Sequence, residues 1–142
     1  MFWDNAMREA QQAREHGDRT TAERACARGL LYVQAQVTKV LYAYADALDR
    51  QSSGAGVTVR SRVEKLAQAR DQQAAERKSA TTYLGFDPAA ELKAYADLLS
   101  SLKRNTDALL VESLSAAYTY SQEANLRRAT LQRQGKDPFG EC

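Results

Sequence analysis

Glycine and proline are confined to a few places in this sequence of 142 residues. Six of the seven glycines and both prolines fall at four breaks, which lie at Gly17, at residues 52–56, at residues 85–88 and from Gly135 onwards. Since these two residue types interrupt regular structure, the long intervals between the breaks are predicted to be continuous elements. Gly29 is the one glycine inside an interval.

The intervals have the composition of helices. Alanine occurs 25 times and isoleucine is absent, which disfavours a sheet because strands draw on β-branched side chains. The predicted fold is an all-α antiparallel bundle of four helices of unequal length, at about residues 3–16, 20–51, 58–84 and 88–134. The bundle is predicted to be one domain, residues 1–135, followed by a C-terminal tail at residues 136–142.

The predicted helix ends carry capping residues. Gly17 suits the left-handed position that follows a helix. Thr20 and Glu23 have the spacing of a capping box at the start of the second helix. Asp87 suits an N-cap, and Pro88 suits the first helical position, where its missing N–H has no cost.

The last interval is the longest. An unbroken helix over residues 88–134 would be about 70 Å long, against about 40–50 Å for the second and third helices. The polar residues 103–107 are the best place for a kink, but no proline enforces one, so we predict a continuous helix. Its apolar seam is predicted to contain Leu92, Tyr95, Leu99, Leu102, Thr106, Leu109, Ser113, Ala116 and Tyr120.

So long a helix leaves apolar turns that three shorter helices do not reach. We therefore predict an interaction surface that binds a protein partner or a second copy of the chain, as a homodimer. Tyrosine is enriched in interface hot spots, although a place at the edge of the core is the simpler account of most tyrosines. The candidate surface residues are Tyr42, Leu109, Leu110, Leu114, Tyr118 and Leu126.

Residues 6–34 resemble one helical hairpin of the tetratricopeptide type. Small residues at the spacing of helix crossings lie on both sides of a Gly-Asp turn, and Gly29 takes a small-residue position in the second helix. The pattern departs from the family at Trp3, which is out of register, and no second copy follows at the family's period of about 34 residues. The resemblance implies a tight αα-hairpin and, by analogy, protein binding.

The sequence offers no candidates for metal, cofactor or catalytic chemistry. His16 and the two cysteines cannot complete a four-ligand zinc site, and no pair of carboxylates is placed for acid–base chemistry. Cys26 lies on the predicted core seam, and Cys142 is the last residue. A disulfide between them would close a long loop, but we favour a buried free thiol at Cys26.

Charge and hydropathy limit the kinds of partner and location that the sequence favours. The net charge is +2. The third helix is basic, with Arg60 and Arg62, and so is the end of the fourth, with Arg127 and Arg128. Neither carries the motifs of a nucleic-acid-binding fold, so nucleic acid is not favoured and solvated basic faces are expected. No apolar run reaches the ~20 residues of a membrane span. No signal peptide is visible, which leaves a cytoplasmic location as the default and an exported mature domain as the alternative.

The leading hypothesis is a non-enzymatic helical interaction or scaffold module. One alternative is a small-ligand-binding bundle in which the polar middle of the third helix and several tyrosines line a cavity. The other is a non-catalytic accessory subunit of an enzyme or secretion complex. A closed apolar pocket would favour the ligand-binding alternative.

Overall fold

A computed structural model describes residues 2–76 and 85–137, and all regular structure in those residues is helical. The all-α prediction is confirmed. The predicted number of four helices is wrong, because this part of the chain forms five helices. They are α1 (Phe2–Glu15), α2 (Arg19–Gln51), α3 (Val57–Glu76), α4 (Pro88–Ser101) and α5 (Asn105–Arg133). The predicted continuation of the third helix to residue 84 lies outside the described residues.

Helix α2 is the centre of the fold and contacts each of the other four helices. The main apolar core lies around its second half, where Leu41, Leu92 and Leu99 are fully buried together with valines from α2 and α3. Around the first half of α2, the buried residues are mostly alanines, such as Ala10 and Ala25. The small side chains let α1 approach α2 closely but bury little apolar area.

The α1–α2 hairpin turns at Gly17, which has a φ of 71°. The Gly17 N–H donates to the Arg14 carbonyl, and the Asp18 N–H donates to the Ala13 carbonyl, which is the hydrogen-bond pattern of a Schellman motif. Asp18 is the N-cap of α2 and accepts from the Thr21 N–H at 3.1 Å. The predicted capping box at Thr20 is therefore wrong, because Asp18 caps the helix two residues earlier.

The α2–α3 connection is held by a close backbone approach. A Cβ added to Gly56 would lie 2.2 Å from the Ala45 carbonyl oxygen, so the position requires glycine. The Gly56 N–H donates to Asp49 Oδ1 at 2.7 Å, and Arg60 binds Asp49 at 2.5 Å. The hydrogen bond from Gly56, followed by that from Arg60, lowers the pKa of Asp49 below its usual range.

The predicted continuous last helix is wrong, because the chain reverses at residues 102–104 and α5 packs back against α4. Lys103 has a φ of 61°. Its N–H donates to the Ser100 carbonyl, and the Arg104 N–H donates to the Leu99 carbonyl. This is again a Schellman motif, with lysine in the position that glycine usually takes.

The reversal changes which face of the last helix is buried. Tyr95 and Leu99 of α4 keep the predicted seam and are buried. In α5 the inward residues are instead Ala108, Val111, Ser115 and Tyr118. The predicted continuation of the seam through residues 106, 109, 113, 116 and 120 faces solvent.

Replacement of Lys103 by glycine is expected to raise the free energy of unfolding by about 0.5–1 kcal/mol. Glycine adopts a positive φ without the steric cost that a Cβ brings. Chemical denaturation measures the gain. As a control, Lys93→Gly in the interior of α4 is expected to lower stability by about 1 kcal/mol. A loss of stability in Lys103→Gly would contradict the left-handed turn.

Candidate interaction surface

The outer face of α5 carries an exposed row of apolar and small residues. It consists of Leu109, Ser113, Ala116 and Tyr120, which we call the outer seam. Leu109 is 64% exposed and Tyr120 is 47% exposed. Their spacing of four, three and four residues places them on one face of the helix, in the pattern of a seam that packs against another helix.

Four of the six predicted surface residues are exposed. They are Leu109, Leu110, Leu126 and Tyr42. Leu126 lies about 100° around α5 from the outer seam, and Tyr42 is on α2, so the exposed four do not form one patch. Leu114 is half-buried and packs against the core.

Tyr118 is the predicted surface residue that the structure places in the core, at 5% exposure. Its neighbour Tyr120 takes the outward position instead. The predicted seam has the reverse assignment because it continues from α4 through residue 103, where the turn resets the helical phase. A similar division holds on α2, where Tyr42 is at the surface and Tyr44 stacks on Tyr95 with ring centroids 5.1 Å apart.

A groove of about 380 Å³ runs beside the outer seam between α4 and α5. Ala116 and Tyr120 of the seam line it, with Lys93 from α4 and Glu112 and Glu123 from α5. Ser115 and Thr119 complete the lining, so the groove combines the apolar surface of Ala116 and Tyr120 with charged and hydroxyl side chains. It lies away from the middle of the third helix, where the ligand-binding alternative placed a cavity.

Several of the basic residues noted in the sequence form ion pairs within the fold. Arg60 binds Asp46 and Asp49 across the α2–α3 connection. Arg62 of α3 binds Glu91 of α4. These arginines therefore join neighbouring helices.

Arg128 is a buried arginine that sequence reasoning assigned to a solvated helix end. Its side chain is 8% exposed and binds Glu23 of α2, whose side chain is 31% exposed. Ser121 and Asn125 lie on the same face of α5 and are also buried. The far end of α5 therefore packs through polar groups, and Arg19 at the start of α2 binds Asp137 just after α5.

Cys26 is 2% exposed and disulfide-bonded. The predicted free thiol at Cys26 is therefore wrong. Cys142, the one other cysteine in the sequence, lies outside the described residues. The pairing of Cys26 with Cys142 stays a prediction, which follows from the number of cysteines.

Tyr118 is expected to make the fold sensitive to alkali. Burial, with a smaller effect from Asp87, raises the pKa of Tyr118 to about 12. An unfolded tyrosine ionises near pH 10, so the unfolded state gains stability first as pH rises. The contribution of the neutral Tyr118 side chain to the free energy of unfolding is intact below pH 10. It is lost between pH 10 and 12, by up to about 2.7 kcal/mol.

Urea denaturation at pH 9 and pH 11 measures this loss. Tyr118→Phe should be less destabilised by alkali than the wild type, because phenylalanine does not ionise. Tyr120→Phe at the exposed neighbouring position is the matched control and should follow the wild type. Equal alkaline losses in wild type and Tyr118→Phe would contradict the assignment.

Within residues 2–76 and 85–137, no group of three or more histidine, cysteine or acidic side chains is placed to hold a metal ion. No helix in the same residues is long and apolar enough to cross a membrane. The sequence matches no protein-family model, no curated protein and no solved structure. The tetratricopeptide resemblance therefore remains one of helix geometry in α1 and α2.

Proposed function

We propose that this protein is a non-enzymatic interaction module that binds a helix of a protein partner on the outer face of α5. The observation that carries the proposal is the outer seam, which has the spacing of a helix-packing surface and whose four residues are exposed. Leu109 and Tyr120 offer large apolar side chains at its ends. Ser113 and Ala116 allow a partner backbone to approach closely between them.

The surroundings of the seam favour a helical occupant over a small ligand. The groove shares Ala116 and Tyr120 with the seam. Acidic residues flank it at Glu112 and Glu123, which are 11 residues apart and so about 16 Å apart along the helix axis. A partner helix with an apolar stripe and basic residues at its margins would match this pattern.

The test compares the wild type with Ala116→Arg and with Leu126→Arg. Both substitutions add arginine at an exposed position of α5, where its helix propensity is good, but Leu126 lies off the outer seam. The proposal expects a stoichiometric partner, either self or another protein of the source organism's extract, that wild type and Leu126→Arg bind and Ala116→Arg loses. Equal binding by all three proteins, or none by any, would overturn it.

A further inference from the structure

We propose that the C-terminal segment, residues 138–142, docks on α2 in the crevice between α1 and α5, where a disulfide between Cys142 and Cys26 holds it as a strap that a dithiol releases. The segment lies outside the described residues, and its path follows from its two ends. At one end, Asp137 binds Arg19 at the start of α2. At the other end, Cys26 is disulfide-bonded, and Cys142 is the one other cysteine in the sequence.

The two attachment points lie on one face of α2. Arg19 and Cys26 are seven residues apart, which is close to two helical turns, so both lie on the same side of the helix and about 10 Å apart along its axis. Five residues of extended chain reach about 17 Å. The segment is therefore long enough to join the two points along α2 and too short to pass around α1, whose diameter is about 10 Å.

The chain turns toward this face at the end of α5. Gly135 has a φ of 71°. The Gly135 N–H donates to the Gln132 carbonyl, and the Lys136 N–H donates to the Leu131 carbonyl, which is the hydrogen-bond pattern of a Schellman motif. The motif ends α5 and directs the residues that follow toward the start of α2.

The face has room for a chain segment because α1 and α5 pack on either side of it. Relative to Cys26, Ala25 lies about 100° around α2 in one direction and Glu23 about 60° in the other. Helix α1 packs over the small buried residues that include Ala25, and α5 approaches through Arg128, which binds Glu23. In residues 2–76 and 85–137, no contact joins α1 to α5. Cys26 faces the crevice between them and is nevertheless 2% exposed, which a docked segment explains.

The segment contains one large apolar residue that suits this place. Phe139 comes two residues after Asp137, so the docked segment brings it level with the first turns of α2. The floor of the crevice there consists of small residues such as Ala22, which is buried. Pro138 favours an extended chain over a helix. We therefore expect Phe139 to anchor the strap in addition to the disulfide.

A dithiol opens the strap by thiol–disulfide exchange. One thiolate of the dithiol attacks the Cys142 sulfur, and Cys26 leaves as a thiolate. The second thiolate of the reagent then displaces Cys142, and the reagent becomes a disulfide. Two electrons pass to the protein, and the two protons of the dithiol end on the two cysteines. Because Cys26 is buried, the attack requires the strap to lift, so the rate of reduction measures how firmly the segment is docked.

Reduction of the folded, unreduced full chain by dithiothreitol, followed by alkylation and mass spectrometry, tests the strap. Phe139→Ser should speed the reduction at least about tenfold, because it removes the apolar anchor. Asp137→Asn should speed it about two- to fivefold, because it weakens the ion pair at the start of the segment. Asp107→Asn is the matched control, since it weakens an exposed ion pair with Arg104 elsewhere in the fold, and its rate should stay within about twofold of the wild type.

Two further measurements follow the strap directly. Peptide mapping without reductant should find one peptide that joins Cys26 to Cys142. Amide hydrogen exchange should show that reduction of the wild type speeds exchange in α1 and the first half of α2 more than in α4, because the strap holds that end of the fold.

A free Cys142 in the unreduced chain would overturn the strap. Equal reduction rates in the wild type, Phe139→Ser and Asp137→Asn would show that the segment is tethered without docking, which would also overturn it. So would a change in hydrogen exchange that is the same in α1 and α4. The outer seam is unchanged in all of these variants, so failure of the strap leaves the proposed function standing, and the converse also holds.

Discussion

Opening the disulfide at Cys26 is expected to lower the free energy of unfolding by about 4–5 kcal/mol in the chain-entropy model. Cys142 is taken as the disulfide partner of Cys26, because the sequence has no third cysteine. A bond between these positions closes a loop of more than a hundred residues, and the open unfolded chain gains the conformational freedom that this loop had removed. The effect is a large fraction of the stability of a domain of this size.

Cys142→Ser is the variant for this measurement, because a substitution at the buried Cys26 would also disturb the α1–α2 packing. Urea denaturation with and without reductant should show the loss in the wild type on reduction. Cys142→Ser should have the stability of the reduced wild type in both conditions and should not respond to reductant. An unreduced wild type no more stable than Cys142→Ser would contradict the pairing.

Removal of the carboxylate of Glu23 is expected to cost about 3 kcal/mol of stability, the second largest effect. Arg128 is charged at all accessible pH values and is almost fully buried, so Glu23→Gln removes the carboxylate that this buried charge binds. Arg128→Met is the informative counterpart, because it leaves Glu23, which water already reaches. Its cost should be below about 1.5 kcal/mol, and the double variant should be about as stable as Arg128→Met.

Denaturant unfolding of the four proteins completes the double-mutant cycle. The cost of Glu23→Gln should exceed that of Arg128→Met. In a surface ion pair, substitution of either partner would lower stability by less than about 1 kcal/mol. A Glu23→Gln variant within 0.5 kcal/mol of the wild type, the range of ordinary surface substitutions, would show that α2 and α5 do not pack through a buried Arg128. The pair belongs to the end of the fold where small residues bury little apolar area.

Most helix ends could be predicted because the residues there act locally. Gly17 and Gly135 adopt the positive φ that only glycine adopts without strain. Asp87 caps α4 by accepting from the Ala89 N–H at 3.0 Å, as its position before Pro88 predicted. Such features depend on a few neighbouring residues, so the sequence alone carries them.

The reversal at Lys103 could not be predicted in the same way. Lysine favours helices and has no particular tendency to adopt a positive φ, so the turn is stabilised by the packing of α5 on α4. The assignment of Tyr118 to the surface failed for this reason, because every face after residue 103 depends on the phase at which α5 begins. The burial of Arg128 depends likewise on the approach of α2, more than 100 positions away in the sequence.

The reversal at Lys103 also underlies the proposed function, because it turns the outer seam of α5 away from the core. The distance between residues 93 and 119 tests this reversal most directly. It can be measured by pulsed electron paramagnetic resonance with spin labels attached to unnatural amino acids at the two positions. Both residues line one groove in this fold, so the account predicts a separation close to the 8–10 Å between packed helices, extended by the label arms. A separation of about 39 Å, which a continuous helix would give over these 26 residues, would contradict it.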